Sequence, residues 1–116
     1  MLFICSRNRR RSPTAERLFA TEPGVETASA GLAPDAEEAV TPDLLEWADL
    51  ILVMEAAHRR RLQSHFAHHL RRARLACLDI ADDYAFMDEA LVALLKARAT
   101  PHLRRVNVDG TRGRRR

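Results

Sequence analysis

Glycine is scarce in this 116-residue chain: there are four, and the first is Gly24. A dinucleotide fingerprint and a Walker phosphate loop both need glycines just after a first strand, so neither is present near the N-terminus. Two cysteines, Cys5 and Cys77, are too few for a disulfide framework, which makes a reducing cytoplasm the expected location. No apolar run approaches the ~18–20 residues of a membrane span. The opening Met1–Arg7 turns polar too soon for a secretory signal. Aromatic residues make up 5%, which leaves little material for a deep ring-lined slot. Lysine is nearly absent, Lys96 being the single one among 19 basic residues.

What remains is a globular balance of 47% hydrophobic and 30% charged residues, one domain's worth of chain. The net charge of +3 is unevenly spread. Arg104–Arg116 holds six arginines against one aspartate, while the other 103 residues carry 13 basic and 15 acidic groups. Residues 1–103 are therefore expected to form a single α/β domain, and 104–116 a basic, disordered tail. With the excess of positive charge confined to that tail, nucleic acid is not the expected partner, and neither is a membrane.

Met1–Ile4 reads as a first strand ending at Cys5. Ser12-Pro13 reads as a serine cap followed by a proline at a first helical position, and Pro23-Gly24 ends that helix. Val25–Ala30 reads as a short strand stopping at Gly31, and Leu32–Val40 as an irregular acidic segment. Thr41-Pro42-Asp43 opens a second helix, and Leu50–Met54 is an apolar strand of the kind buried on both faces. A basic helix is expected from Glu55 to about Leu70, and a fourth strand at Leu75–Leu78 with Cys77 buried in it. An acidic loop, Asp79–Tyr84, leads to a helix from Met87 to about Ala99, with Pro101 closing the folded body. His65, His68 and His69 lie at helical spacing, but no zinc motif accompanies them and no metal site is expected.

Strands alternating with helices, without hairpin signals, predict a small doubly wound four-stranded parallel sheet with helices on both faces. Ligands of such sheets sit beyond the C-terminal strand ends, which points to Cys5–Arg11, Glu55 and Asp79–Tyr84. In the first of these, Cys5-Ser6-Arg7-Asn8-Arg9-Arg10-Arg11-Ser12 joins a strand to a helix N-terminus. Backbone N–H groups of such a loop converge into an anion nest, and the helix dipole adds positive charge. A cysteine at its entrance sits in a field favouring the nucleophilic thiolate. An arginine six residues on is placed to grip two oxygens of a tetrahedral oxyanion.

The run Cys5-x5-Arg11-Ser12-Pro13-Thr14-Ala15-Glu16 resembles the signature of the low-molecular-weight protein tyrosine phosphatase family. Ser29-Ala30-Gly31, Ala48–Glu55 and Asp82-Asp83-Tyr84 resemble further family segments. The resemblance implies hydrolysis of a phosphate monoester, phosphotyrosine or another aryl or small phosphoester, without a cofactor or metal. The substrate would be a phosphorylated small molecule or phosphoprotein. Cys5 would attack phosphorus, and Arg11 would hold the phosphoryl oxygens with the loop residues Ser6, Arg7, Asn8, Arg9, Arg10 and Ser12. Asp82 would serve as acid and then base, with Asp83 and Tyr84 on the substrate rim. Four departures from the family accompany the match. Arg7 replaces a common glycine, Arg10 a common second cysteine, and Asp83 the proline of an Asp-Pro pair; the stretch from Gly31 to Thr41 is short. Two alternatives stay open, a phospho-ligand-binding module with little or no turnover and a thiol-dependent arsenate reductase.

Overall fold

Four parallel strands, β1 (Leu2–Cys5), β2 (Ala28–Gly31), β3 (Leu50–Val53) and β4 (Arg74–Cys77), form one sheet in the order β2-β1-β3-β4. Between and after them run the helices α1 (Arg11–Phe19), α2 (Pro42–Trp47), α3 (Ala56–His65) and α4 (Glu89–Gly113), with a short 3-10 turn at Ala67–His69. This computed structural model describes residues 1–113, and the side chains of residues 1–103. The doubly wound parallel architecture is the one the sequence predicts.

Side chains of a strand alternate between faces, and the core divides accordingly. Met1, Phe3, Cys5, Leu50, Leu52 and Met54 face α1 and α4, where they meet Ala15, Phe19, Leu91, Leu95, Ala99 and Leu103. Leu2, Ile4, Ile51 and Val53 face the other way, onto Leu45 of α2 and Leu62 of α3. Phe3 and Phe19 stack with ring centroids 5.8 Å apart. β1 and β3 are buried from end to end, and each fully buried Leu, Ile or Phe contributes about 1.5–3 kcal/mol.

Several boundaries differ from expectation. α1 begins at Arg11 and not behind a Ser12 cap: the cap position is Arg10, without a side-chain cap bond. Pro13 still falls within the first turn, where N–H groups lack helical partners in any case. The Thr41 cap is formed, its Oγ1 accepting from the Leu44 N–H at 3.2 Å. α3 stops at His65, because Phe66 leaves helical geometry at φ −131° and the chain tightens into the 3-10 turn. Pro101 does not close the body but lies inside α4, where the stripe Leu91, Leu95, Ala99, Leu103 stays buried across it. The disorder expected of 104–116 concerns residues outside the described side chains, and the backbone remains helical to Gly113. Cys77 is half-buried at the end of β4, where full burial was expected. Among the described residues no helix is long and apolar enough to cross a membrane.

Candidate active site

From β1 the chain passes first to β2 on one side and then to β3 on the other. The sheet therefore has its switch point between the C-terminal ends of β1 and β3, the crevice where ligands bind in open α/β sheets. β1 ends at Cys5, and β3 leads through Met54 to Glu55. The loop Ser6–Arg10 starts there and runs into α1.

The hydrogen bonds of that loop fix which way its peptides face. The carbonyls of Cys5, Ser6 and Arg7 accept from the N–H groups of Leu32, Ala33 and Glu37 at 3.0, 2.7 and 3.0 Å. In a trans peptide the N–H points opposite to the carbonyl, so the N–H groups of Ser6, Arg7 and Asn8 turn to the concave side. The Asn8 N–H is found there, 3.2 Å from Cys5 Sγ. This is the anion nest, with the α1 N-terminus beside it. Its sharp turn falls on Asn8, at φ 59°, and asparagine is among the few side chains that tolerate this region. Arg7 has no positive φ, so the missing glycine imposes no strain.

The short segment after Gly31 acts as the outer brace of this loop. Gly31 is packed so close that a Cβ on it would lie 2.5 Å from Ser6 O and 3.0 Å from Arg7 C. Two acidic residues of the segment pair with the loop, Asp35 with Arg7 at 3.8 Å and Glu37 with Arg9 at 3.2 Å. These exposed pairs add little stability, but they turn the two arginines outward to carboxylates.

Inside the nest, Cys5 Sγ lies 2.9 Å from Ser12 Oγ, and Ser12 Oγ donates to Asn8 Oδ1 at 3.0 Å. Ser12 has a single proton. With Cys5 as thiol, S–H donates to Ser12 and Ser12 to Asn8; with Cys5 as thiolate, the serine proton turns to sulfur. Arg11 is almost wholly buried. Its Nη1 donates to Glu55 Oε2 and to the Ile80 carbonyl, and its Nε lies 3.7 Å from Asp82 Oδ1. That Nε has no hydrogen-bond partner, an uncommon condition for a buried donor. Behind the loop, His58 bonds Ser6 Oγ through Nε2 at 3.1 Å, and its Nδ1 accepts from the Glu55 N–H at 3.1 Å. Burial and the Arg11 charge push the His58 pKa below its ordinary 6.5, against smaller opposing pulls from Glu55 and Asp82.

The structure thus brings together Cys5, Ser6, Asn8, Arg11, Ser12 and Asp82. Asp82 and Asp83 are both exposed, and of the two Asp82 is paired with Arg11; Arg10 is exposed as well. Tyr84 packs against the core face that holds Cys5. Sequence reasoning reached Glu55 only as a strand-end position and missed its bond to Arg11. His58 and the Ile80 carbonyl it missed altogether. The strand-end rule contained a signal for Glu55; for His58 the only signal was its place in the first turn of the helix that Glu55 caps. Cys77 lies on the opposite face of the sheet, half-buried against the α2–α3 side.

Sheet order, cysteine loop and buried arginine together define a small α/β protein with a thiol-bearing oxyanion site. No protein-family model and no curated protein matches the sequence. Solved structures do. YwlE arginine phosphatase from Geobacillus stearothermophilus is 20% identical, with a TM-score of 0.74 over 99% of this chain and 97% of that one. Wzb from Vibrio vulnificus, in complex with benzylphosphonate, is 25% identical, with a TM-score of 0.71 over 90% and 96%. Tyrosine phosphatase AmsI from Erwinia amylovora is 28% identical, with a TM-score of 0.66 over 85% and 87%. The resemblance seen in the Cys5–Glu16 run extends to the whole domain: the fold is that of the low-molecular-weight protein tyrosine phosphatases.

Proposed function

We propose that this protein is a phosphoric monoester hydrolase that works through a cysteinyl-phosphate intermediate. The observation that carries the reading is the donor set around Cys5: inward amides, the α1 N-terminus, and a buried Arg11 whose Nε lacks an acceptor. A phosphoryl group seated there meets fixed donors that need no reorganisation as charge develops on its oxygens. Two of the structural neighbours are phosphatases by name, and the third holds a phosphonate.

In the first step the Cys5 thiolate attacks phosphorus and the P–O bond to the leaving group breaks. Asp82, protonated, gives its proton to the departing oxygen. In the second step water attacks the S-phosphoryl group, the Asp82 carboxylate takes its proton, and phosphate leaves with the thiolate restored. Ser12 donates to sulfur whenever sulfur is anionic, and Asn8 holds the turn. We assign aryl or small phosphoesters as the substrate class and the cytoplasm as the compartment, where both thiols stay reduced. Arsenate reduction through a resolving thiol is not favoured, because Cys5 and Cys77 face opposite sides of the sheet.

The test is turnover of an aryl phosphate by wild type, C5S and D82N. We expect C5S to abolish it and D82N to lower it by about 10²–10⁴-fold, the usual worth of a general acid. Phosphate binding by wild type with turnover no greater than C5S selects the binding-module alternative.

A further inference from the structure

We infer that His58 is a positioning residue of the anion loop, acting through the Ser6 hydroxyl beside the nucleophile. This rests on the phosphatase reading for its consequence in turnover, and on geometry alone for the contact. His58 occupies the third position of α3 and is buried. A backbone N–H can only donate, so the bond from Glu55 N to Nδ1 places a lone pair on that nitrogen. The proton of the neutral ring is then on Nε2, and Nε2 donates to Ser6 Oγ. Burial and the neighbouring Arg11 keep the ring neutral and so preserve this tautomer.

Ser6 is thereby held from two directions, its hydroxyl by His58 and its carbonyl by Ala33 N–H at 2.7 Å. The peptide after it carries the Arg7 N–H into the nest, so fixing Ser6 fixes that donor. The same loop also reaches the other end of the site, because the Glu55 carboxylate accepts from Arg11. One strand-end turn thus sets both limits of Cys5–Arg11. A purely structural histidine would need only the bond that caps α3.

Asparagine and glutamine separate these two roles. In H58N the side-chain oxygen takes the place of Nδ1 and keeps the cap, while nothing reaches Ser6. In H58Q the amide nitrogen takes the place of Nε2 and restores the donor. The measurement is protection of Cys5 from iodoacetamide by inorganic phosphate, with KM and kcat for an aryl phosphate and a thermal melt alongside. We expect H58N and S6A each to raise the half-protecting phosphate concentration about three- to tenfold, the worth of one hydrogen bond. The double variant should lose no more than the larger single loss, and H58Q should stay within about twofold of wild type. KM should rise with the protection constant in H58N, with the melting temperature lowered by no more than the loss of that one hydrogen bond.

Unchanged protection in H58N, or losses that add in the double variant, overturns the inference. If wild type shows this protection pattern but turns over no faster than C5S, the positioning role stands and the phosphatase reading falls. If phosphate does not protect wild type, both fall.

Discussion

Gly31 shows how much of the site is decided by single atoms. A methyl group there would meet Ser6 O at 2.5 Å and Ala36 Cβ at 2.8 Å, the first of them backbone that cannot swing aside. G31A should therefore destabilise by about 1–3 kcal/mol, the range for overpacking, and push the loop off the position that binds phosphate. Denaturant unfolding and phosphate protection check the two effects separately; a variant normal in both removes the brace. His58 makes a second residue-scale test, in pH. Its pKa is lowered in the fold by burial and Arg11, with Glu55 and Asp82 pulling less strongly upward. The unfolded chain then binds more protons below pH 6.5, so this contribution is fully present above that value and is lost as pH falls below it. Relative to H58Q, which does not titrate, wild type should lose stability as pH falls below 6.5, by at most about 1.4 kcal/mol per pH unit. Parallel pH profiles would remove His58 as the cause. Cys5 and Arg11 were legible in the sequence because loop, strand and helix start are contiguous. The partners of Arg11 were not, since Glu55 and Ile80 lie 44 and 69 positions away.

Among the elements, the strands were the most readable, for a run such as Leu50–Val53 is apolar on both faces and has no other stable place. Helix ends were misread where a local signal had a second use. Ser12 before Pro13 has the form of a cap, yet its hydroxyl serves Cys5 and Asn8. Pro101 has the form of a terminator, yet the α4 stripe continues to Leu103. Proline inside a helix removes one hydrogen bond and clashes with the preceding turn, costing about 3 kcal/mol against alanine; packing of Ala99 and Leu103 against the core opposes that loss. P101A should accordingly raise stability by about 1–3 kcal/mol, read by chemical denaturation. A variant that loses stability would show that the chain needs a break at that point. The α2 cap gives a smaller effect of the opposite sign: T41A should cost about 0.5–2 kcal/mol, because the Leu44 N–H loses its acceptor.

For the molecule as a whole, the two-sided sheet decides what its thiols can do. Ile4 pairs with Val53, and Val53 with Cys77, so the two cysteines stand two strands apart at the same edge. Adjacent strands are about 4.8 Å apart, which puts their backbones near 10 Å, beyond the roughly 7 Å limit for a disulfide. Their side chains also leave the sheet on opposite faces, Cys5 toward α1 and α4 and Cys77 toward α2 and α3. Burial pushes the Cys77 thiol above its ordinary pKa, with smaller opposing effects from the Asp79 backbone and Arg59, leaving little thiolate at neutral pH. C77S should therefore keep wild-type turnover. Oxidised native protein should give no internal bridge, with the intact mass two hydrogens heavier than a bridged chain. If C77S lost turnover, or a native-state bridge formed between Cys5 and Cys77, the sheet could not hold the two sulfurs where this register sets them, and the case against a resolving thiol would go with it.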